Sequence, residues 1–303
     1  MKRRIFRTVA VVLVIALLTC LFAACGNSSD AETWEDQLGN KGTVRVGISP
    51  NYPPYDFYDE AGNIVGYDAD FTAYLADYFD YDFELIPLDF NSIIASIDSG
   101  TIDIGISCFS YKEDRDVEYS ESYLDTTQAV LVRADSGIEK PEDLAGKTIS
   151  AGQGNVGLDL CYEFQEQYDG IDVVIGDETG VSVETVKSGA IDAYIAERGV
   201  CEAYAAASNG KLAVMEGDYY PDSIYVIAKK GNTLLAEKMT EGVRAFRADE
   251  EMVVCDEQDY QLGGVLDENE DLWYLMYRFL ESGDEYGTEK EWCEKCEAEN
   301  DND

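Results

Sequence analysis

The sequence predicts an α/β fold in two lobes, each a mainly parallel sheet flanked by helices. Short β-branched runs alternate with stretches whose apolar residues recur at helical spacing. This alternation runs twice, over residues 43–107 and again over residues 128–207. The chain of 303 residues is long enough for two modest units, each with its own core.

The first run opens with Thr43–Ser49, a strand-like segment that stops at a proline-rich turn, Pro50–Tyr55. Asp59–Gly62 reads as a second turn. Asp68 is expected to cap a helix reaching Phe79, since Phe71, Tyr74, Leu75 and Tyr78 fall on one helical face. Phe83–Leu88 reads as strand, Asn91 as the cap of a helix carrying Ile93, Ile94 and Ile97, Gly100 as its stop, and Ile102–Ser107 as strand. The second run gives strand Gln128–Arg133, a short helix from Pro141 to Leu144, and strand Lys147–Ala151. Helix Asn155–Tyr168, strand Val173–Ile175, helix Val181–Ser188, strand Ala193–Ala196 and helix Arg198–Ala207 follow.

The N-terminus is read as a leader. Lys2, Arg3, Arg4 and Arg7 precede an apolar run at residues 9–18, and Phe22-Ala23-Ala24-Cys25 follows. That order suggests a secretory signal over residues 1–24 with diacylglyceryl on Cys25, giving a mature protein anchored to a membrane without spanning it. Ordinary signal cleavage beside an incidental Cys25 is the other reading. Residues 25–41 are expected to be a tether. With 22 Lys and Arg against 62 Asp and Glu, the surface would repel phosphate backbones, which excludes nucleic-acid binding. There is no His, and Cys293-x-x-Cys296 lacks a second pair, so neither a metal nor a cofactor is expected. Cys108, Cys161, Cys201, Cys255, Cys293 and Cys296 are left as free thiols or a local disulfide.

In doubly wound sheets, ligands sit beyond the carboxyl ends of the strands. The polar segments there are Ser49–Tyr55, Phe90, Ser107–Ser110, Gly152–Val156 and Glu197. These segments lie within VRVGISPNYPPYDFYDEAGNIVGYDADF, IIASIDSGTIDIGISCFSYKEDRDVEYSESY, QAVLVRADSGIEKPEDLAGKTISAGQG and SGAIDAYIAE. In that order, over roughly residues 42–230, the segments make the chain resemble the polar amino-acid-binding lipoproteins of bacterial ABC importers, the extracellular solute-binding proteins of family 3.

The resemblance implies a two-lobed periplasmic-binding-protein-like fold of type II with a two-strand hinge near Thr127–Arg133 and Tyr225–Lys229. Lobe 1 would span 42–128 and return over 225–292, lobe 2 would span 129–224, and residues 293–303 would form an acidic tail. It implies that Arg115 clamps the ligand carboxylate, that Ser110 fixes the ligand backbone and that Glu197 pairs with the α-ammonium. The Cys108 carbonyl would also accept from that ammonium. Tyr52 and Phe90 would sandwich the ligand side chain, with Ser49 and Ser107 beside it. Asn155 would cap a helix, and the Val156 amide would face the carboxylate. Lys112 and Glu113 depart from the family's usual loop. Ser49 stands where relatives that hold cationic side chains often carry Asp, which disfavours such a ligand.

The function expected from the resemblance is capture of a free amino acid outside the membrane and delivery to an ABC permease and its ATPase. The binding protein itself would be a monomer without enzymatic activity. A sensory lipoprotein and a dehydratase-like enzyme on the same fold are the alternatives. Residues 247–271 are expected to extend beyond simple closing helices, and Leu272–Leu280 to pack on lobe 1.

Overall fold

A computed structural model of the protein describes residues 32–39, 42–59, 61–176 and 178–248. The leader, Cys25, Cys255, Cys293, Cys296 and the whole segment after 248 lie outside the described residues. Among the described residues no helix is long and apolar enough to cross a membrane.

Chain order is α1 (Trp34–Gln37), β1 (Thr43–Ile48), β2 (Phe57–Tyr58), β3 (Ile64–Val65), α2 (Tyr67–Phe79), β4 (Asp82–Pro87), α3 (Phe90–Ser99), β5 (Ile104–Ser110) and β6 (Val117–Arg133). A single 3-10 turn, Pro141–Leu144, leads to β7 (Thr148–Gly152), α4 (Val156–Gln167), β8 (Asp172–Gly176), α5 (Thr179–Ser188), β9 (Ala193–Glu197), α6 (Arg198–Ala207), β10 (Leu212–Val214), β11 (Tyr220–Lys229) and α7 (Thr233–Ala248).

One sheet runs β4-β1-β5-β11-β6-β9-β7-β8, with β10 also paired to β6. At one end β1 is parallel to β4 and β5; at the other, β7 is parallel to β8 and β9. This is the mixed α/β architecture expected, with strands β1, β4, β5 and β7–β9 feeding helices that cover the faces. The antiparallel pairs come from β6 and β11. They pair with each other from Gln128–Tyr220 to Val117–Lys229, β11 also borders β5, and β6 also borders β9. Periodicity showed only the last six residues of β6, because its first half mixes Glu, Ser, Tyr and Asp without clean alternation.

The apolar residues pack on either side of this sheet. Phe71 and Leu75 of α2 meet Met239, Val243 and Phe246 of α7 in one fully buried cluster. The Phe71 ring stacks on Tyr123 of β6 at 4.5 Å. At the second end, Val130, Ile149, Leu160, Phe164 and Ile195 form a separate core. Burial of such side chains contributes about 1.5–3 kcal/mol each relative to exposure.

Three local expectations are corrected. Gly66, not Asp68, is the N-cap of α2. Asp68 lies inside the helix and fully buried, where its carboxylate accepts the Cys108 amide at 2.9 Å and the Tyr123 hydroxyl at 2.7 Å. Asp89, not Asn91, precedes α3. Asn155 does occupy the cap position of α4, but its side chain makes no capping hydrogen bond.

Candidate functional site

The site is built at the carboxyl ends of the parallel strands of both sheet ends. After β1 the chain turns through Pro50–Asp56, where the Tyr52 amide donates to the Asp56 carbonyl at 2.8 Å and the Tyr55 amide to the Tyr52 carbonyl at 3.0 Å. The turn is fixed to the start of α2, since Tyr67 and Asp68 donate their amides to the carbonyls of Pro54 and Tyr55. Gly66 makes that approach possible. Its φ is +113°, and a Cβ there would lie 2.5 Å from the Pro54 oxygen and 2.6 Å from the Tyr55 oxygen.

β5 supplies the next group through a bulge. Tyr225 of β11 faces Phe109 while Ile227 faces Gly105, so one residue of β11 opposes three of β5. Cys108 sits in this bulge with φ +47°, a left-handed conformation unusual for a residue with a Cβ. The bulge brings Ser107 and Cys108 to a cavity of about 290 Å³, and the Asp68 carboxylate takes up the Cys108 amide. That volume is at the small end of ligand pockets, which run to about 300–1,000 Å³.

Ser49, Tyr52, Phe90, Ser107, Cys108 and Asn155 all line this cavity. The segments after β4, β7 and β8, with the helix starts they lead into, add Asp89, Asn91, Gln153, Glu178 and Thr179 to the wall. Phe90 stacks against Phe109 with centroids 4.7 Å apart, and the Arg115 guanidinium lies 5.2 Å from the centroid of that same Phe109 ring.

Ser110, Arg115, Val156 and Glu197 are not among the lining residues. Arg115 donates to the Ser110 carbonyl at 2.7 Å and to the Gly154 carbonyl at 2.9 Å, joining the two sheet ends. Lys112 makes a second such link to Asp159 of α4 at 2.8 Å. The Ser110 hydroxyl donates to Asp222, on β11, at 2.7 Å. Val156 is buried as the first residue of α4. Glu197, at the end of β9 and 1 % exposed, accepts the Tyr52 hydroxyl from across the cleft.

Burial and the nearby negative charge of Asp222 push the Glu197 carboxyl up to about 8. Burial likewise raises Asp222, and Arg115 opposes that rise, so Asp222 lies within electrostatic reach of both Arg115 and Glu197. Behind Ser107, Asp56 is fully buried. Its Oδ2 accepts the Ser107 hydroxyl while its Oδ1 has no partner, and desolvation with the neighbouring Asp68 raises its carboxyl strongly. Cys108, Cys161 and Cys201 are buried free thiols.

Asp56, Asp89, Glu178 and Asp222 are the site groups that sequence reasoning missed. Asp89 and Glu178 carry the same signal that pointed to Phe90 and Glu197, an acid or aromatic directly between strand and helix. Asp222 has no local signal. It reaches Ser110, 112 positions away, only through the pairing of β11 with β5.

Comparison with known proteins agrees with this fold. The chain is 31% identical over 194 residues to the arginine-binding extracellular protein ArtP of Bacillus subtilis (strain 168), covering 63% of this chain and 73% of that protein. It is 26% identical over 220 residues to the L-cystine-binding protein TcyJ of Escherichia coli (strain K12), covering 71% and 81%. The solved structure of holo ArgBP from T. maritima superposes with a TM-score of 0.64 at 30% identity, covering 73% of this chain and 98% of that one. The family description "Bacterial extracellular solute-binding proteins, family 3" matches residues 44–258. Spanning most of the chain and both sheet ends, that match makes this protein a member of the bacterial extracellular solute-binding proteins of family 3.

Proposed function

We propose that the protein captures a free α-amino acid between its two sheet ends and delivers it to an ABC permease. The observation that carries this reading is Glu197. It is a buried carboxylate that receives a phenol from Tyr52, and no Lys or Arg pairs with it among the described residues. An α-ammonium supplies the cation that this carboxylate lacks. Arg115 complements it. Its two hydrogen bonds go to neutral carbonyls, leaving its charge and three further N–H groups for a ligand carboxylate. Relatives that bind arginine and L-cystine support an amino acid as the ligand class.

Binding without chemistry fits the donor set. The sequence has no His, and the acid at the ammonium end is occupied in pairing. The lobes proposed are residues 42–128 with 225–292, and residues 129–224, joined through the β6/β11 ribbon. The wider setting proposed is a monomer anchored through Cys25 on the outer face of a bacterial membrane, beside the permease and its ATPase.

Calorimetric titration of the purified protein with the twenty common amino acids tests the reading. Micromolar or tighter binding of one or a few is expected. Arg115→Ala and Glu197→Gln should each weaken it by about thirtyfold or more, since truncating one member of a buried charge pair costs about 2–5 kcal/mol. No heat with any amino acid, once carried-over ligand is removed, overturns it.

A further inference from the structure

Deepening that reading, and resting on it, we infer that the cavity selects an amino acid with a cationic side chain, held between Asp89 and Glu178 from opposite sides of the cleft. Position 49, read alone, disfavours such a ligand. The fold changes the inference by bringing acids from other segments to the same cavity.

Asp89 ends the loop after β4 and Glu178 ends the loop after β8, and both line the cavity. Each precedes a helix, yet neither side chain makes a capping hydrogen bond. No ion pair takes either carboxylate among the described residues. No Lys or Arg lines the cavity: Arg115 is turned to the Ser110 and Gly154 carbonyls, and Lys112 to Asp159. Both carboxylates are exposed to solvent, which screens them from each other, and a cation held between them gains an acceptor on each side.

An independent observation points to a polar ligand group in the same place. Ser49 lines the cavity and is 2 % exposed, and its hydroxyl, which can donate or accept, has no partner. A buried hydroxyl without a partner costs free energy until a ligand satisfies it. Phe90 presents an aromatic wall on which a planar guanidinium can stack. Carboxylates on two sides and a flat apolar wall suit a guanidinium better than a neutral amide or a carboxylate, and the unpartnered hydroxyl can accept from it.

The test is calorimetry on the full-length protein with L-arginine, its neutral isostere L-citrulline, and L-glutamine. All three carry the same α-ammonium and carboxylate. Arginine is expected to bind about tenfold or more tighter than citrulline, as for a charge-assisted hydrogen bond replaced by a neutral one. In the double variant Asp89→Asn, Glu178→Gln the arginine-to-citrulline ratio should fall toward one. The exposed positions of both residues make folding of this variant straightforward, and its thermal midpoint should match the wild type. Citrulline or glutamine binding as tightly as arginine to the wild type overturns the inference while leaving amino-acid capture intact. A ratio unchanged in the double variant overturns the assignment of Asp89 and Glu178. Failure of every amino acid to bind overturns the capture reading and this inference with it.

Discussion

The Ser110 hydroxyl donates to the Asp222 carboxylate at 2.7 Å, and the same oxygen of Asp222 accepts from Gln128 at 3.0 Å. One acid on β11 thus joins the end of β5 to the middle of β6, and its charge reaches Glu197 on β9. That places an electrostatic influence on Glu197 on a strand that contributes nothing to the cavity wall.

Asp222→Asn should therefore move the pH dependence of ligand binding. The Asp222 charge holds the Glu197 carboxyl up, second to burial. Removing it lowers the pH at which Glu197 ionises, so the fall in affinity on acidification begins at lower pH than in the wild type. Calorimetric titrations across pH 5 to 9 check the direction, and an unchanged or upward-moved profile contradicts it.

Ligand capture should release a proton near neutral pH. Without a cation beside it, Glu197 ionises at about 8, whereas an ammonium partner favours the charged form. Affinity should therefore weaken as pH falls below about 8, by up to tenfold per unit until the bound-state value is reached. Titrations at one pH in buffers of different ionisation enthalpy should give different heats, and Glu197→Gln should remove most of the difference.

Thermal stability without ligand should increase on mild acidification. Burial raises Asp68 and Glu202 to about 7 and Glu197 to about 8, and it also raises Asp56 and Asp222. A carboxyl raised in the folded state holds its proton more tightly there than in the unfolded chain. Its contribution is complete below the unfolded value, about 4, and is lost as pH rises through the folded value. Glu118, Glu121 and Asp125 are lowered and act the opposite way, but only on further acidification past the ordinary carboxylate range. The unfolding midpoint should thus climb between about pH 8.5 and 5.5. Scanning calorimetry giving a falling midpoint over that range would count against the raised carboxyls of these buried acids.

Gly66→Ala should unfold the Tyr52 turn from its support. The new Cβ meets two backbone oxygens at under 3 Å, and neither can rotate away. Strain at this positive φ and the displaced turn should cost about 2 kcal/mol or more. Denaturant titration should show the loss, with ligand affinity falling too, because Tyr52 is carried on the turn. Gly62→Ala makes the comparison: its φ is also positive, but its Cβ meets nothing within 4 Å, so only the smaller conformational penalty is expected.

Elements with a strong local period were legible in the sequence. The strands β1, β7 and β9 and the helix α6 follow from apolar spacing and turn residues within a residue or so. Position after a strand led to Ser49, Tyr52, Phe90, Ser107 and Cys108, which the fold gathers at one cavity. The failures share a cause. Asp68 looks like a cap by composition, but its partners Cys108 and Tyr123 lie 40 and 55 positions away. The hydrogen bonds of Arg115 and Ser110 to Gly154 and Asp222 likewise arise from tertiary pairing and leave no local signal. The acidic character of the cavity was hidden because one position was read in isolation, while the charges arrive on loops after β4 and β8.

β6 is a continuous strand of 17 residues, roughly 56 Å long at about 3.3 Å per residue, and β11 is laced to it along most of its own length. Such a ribbon would act as a leaf spring rather than a door hinge. A rotation of one sheet end against the other would be shared among many residues, including those at the register shifts on either side of Tyr225. The stiffness of the spring therefore belongs to the whole ribbon, including residues such as Ser122 and Ser223 that lie outside the cavity wall. Inherited or engineered changes there would retune how the two sheet ends move against each other while leaving every group that lines the cavity untouched.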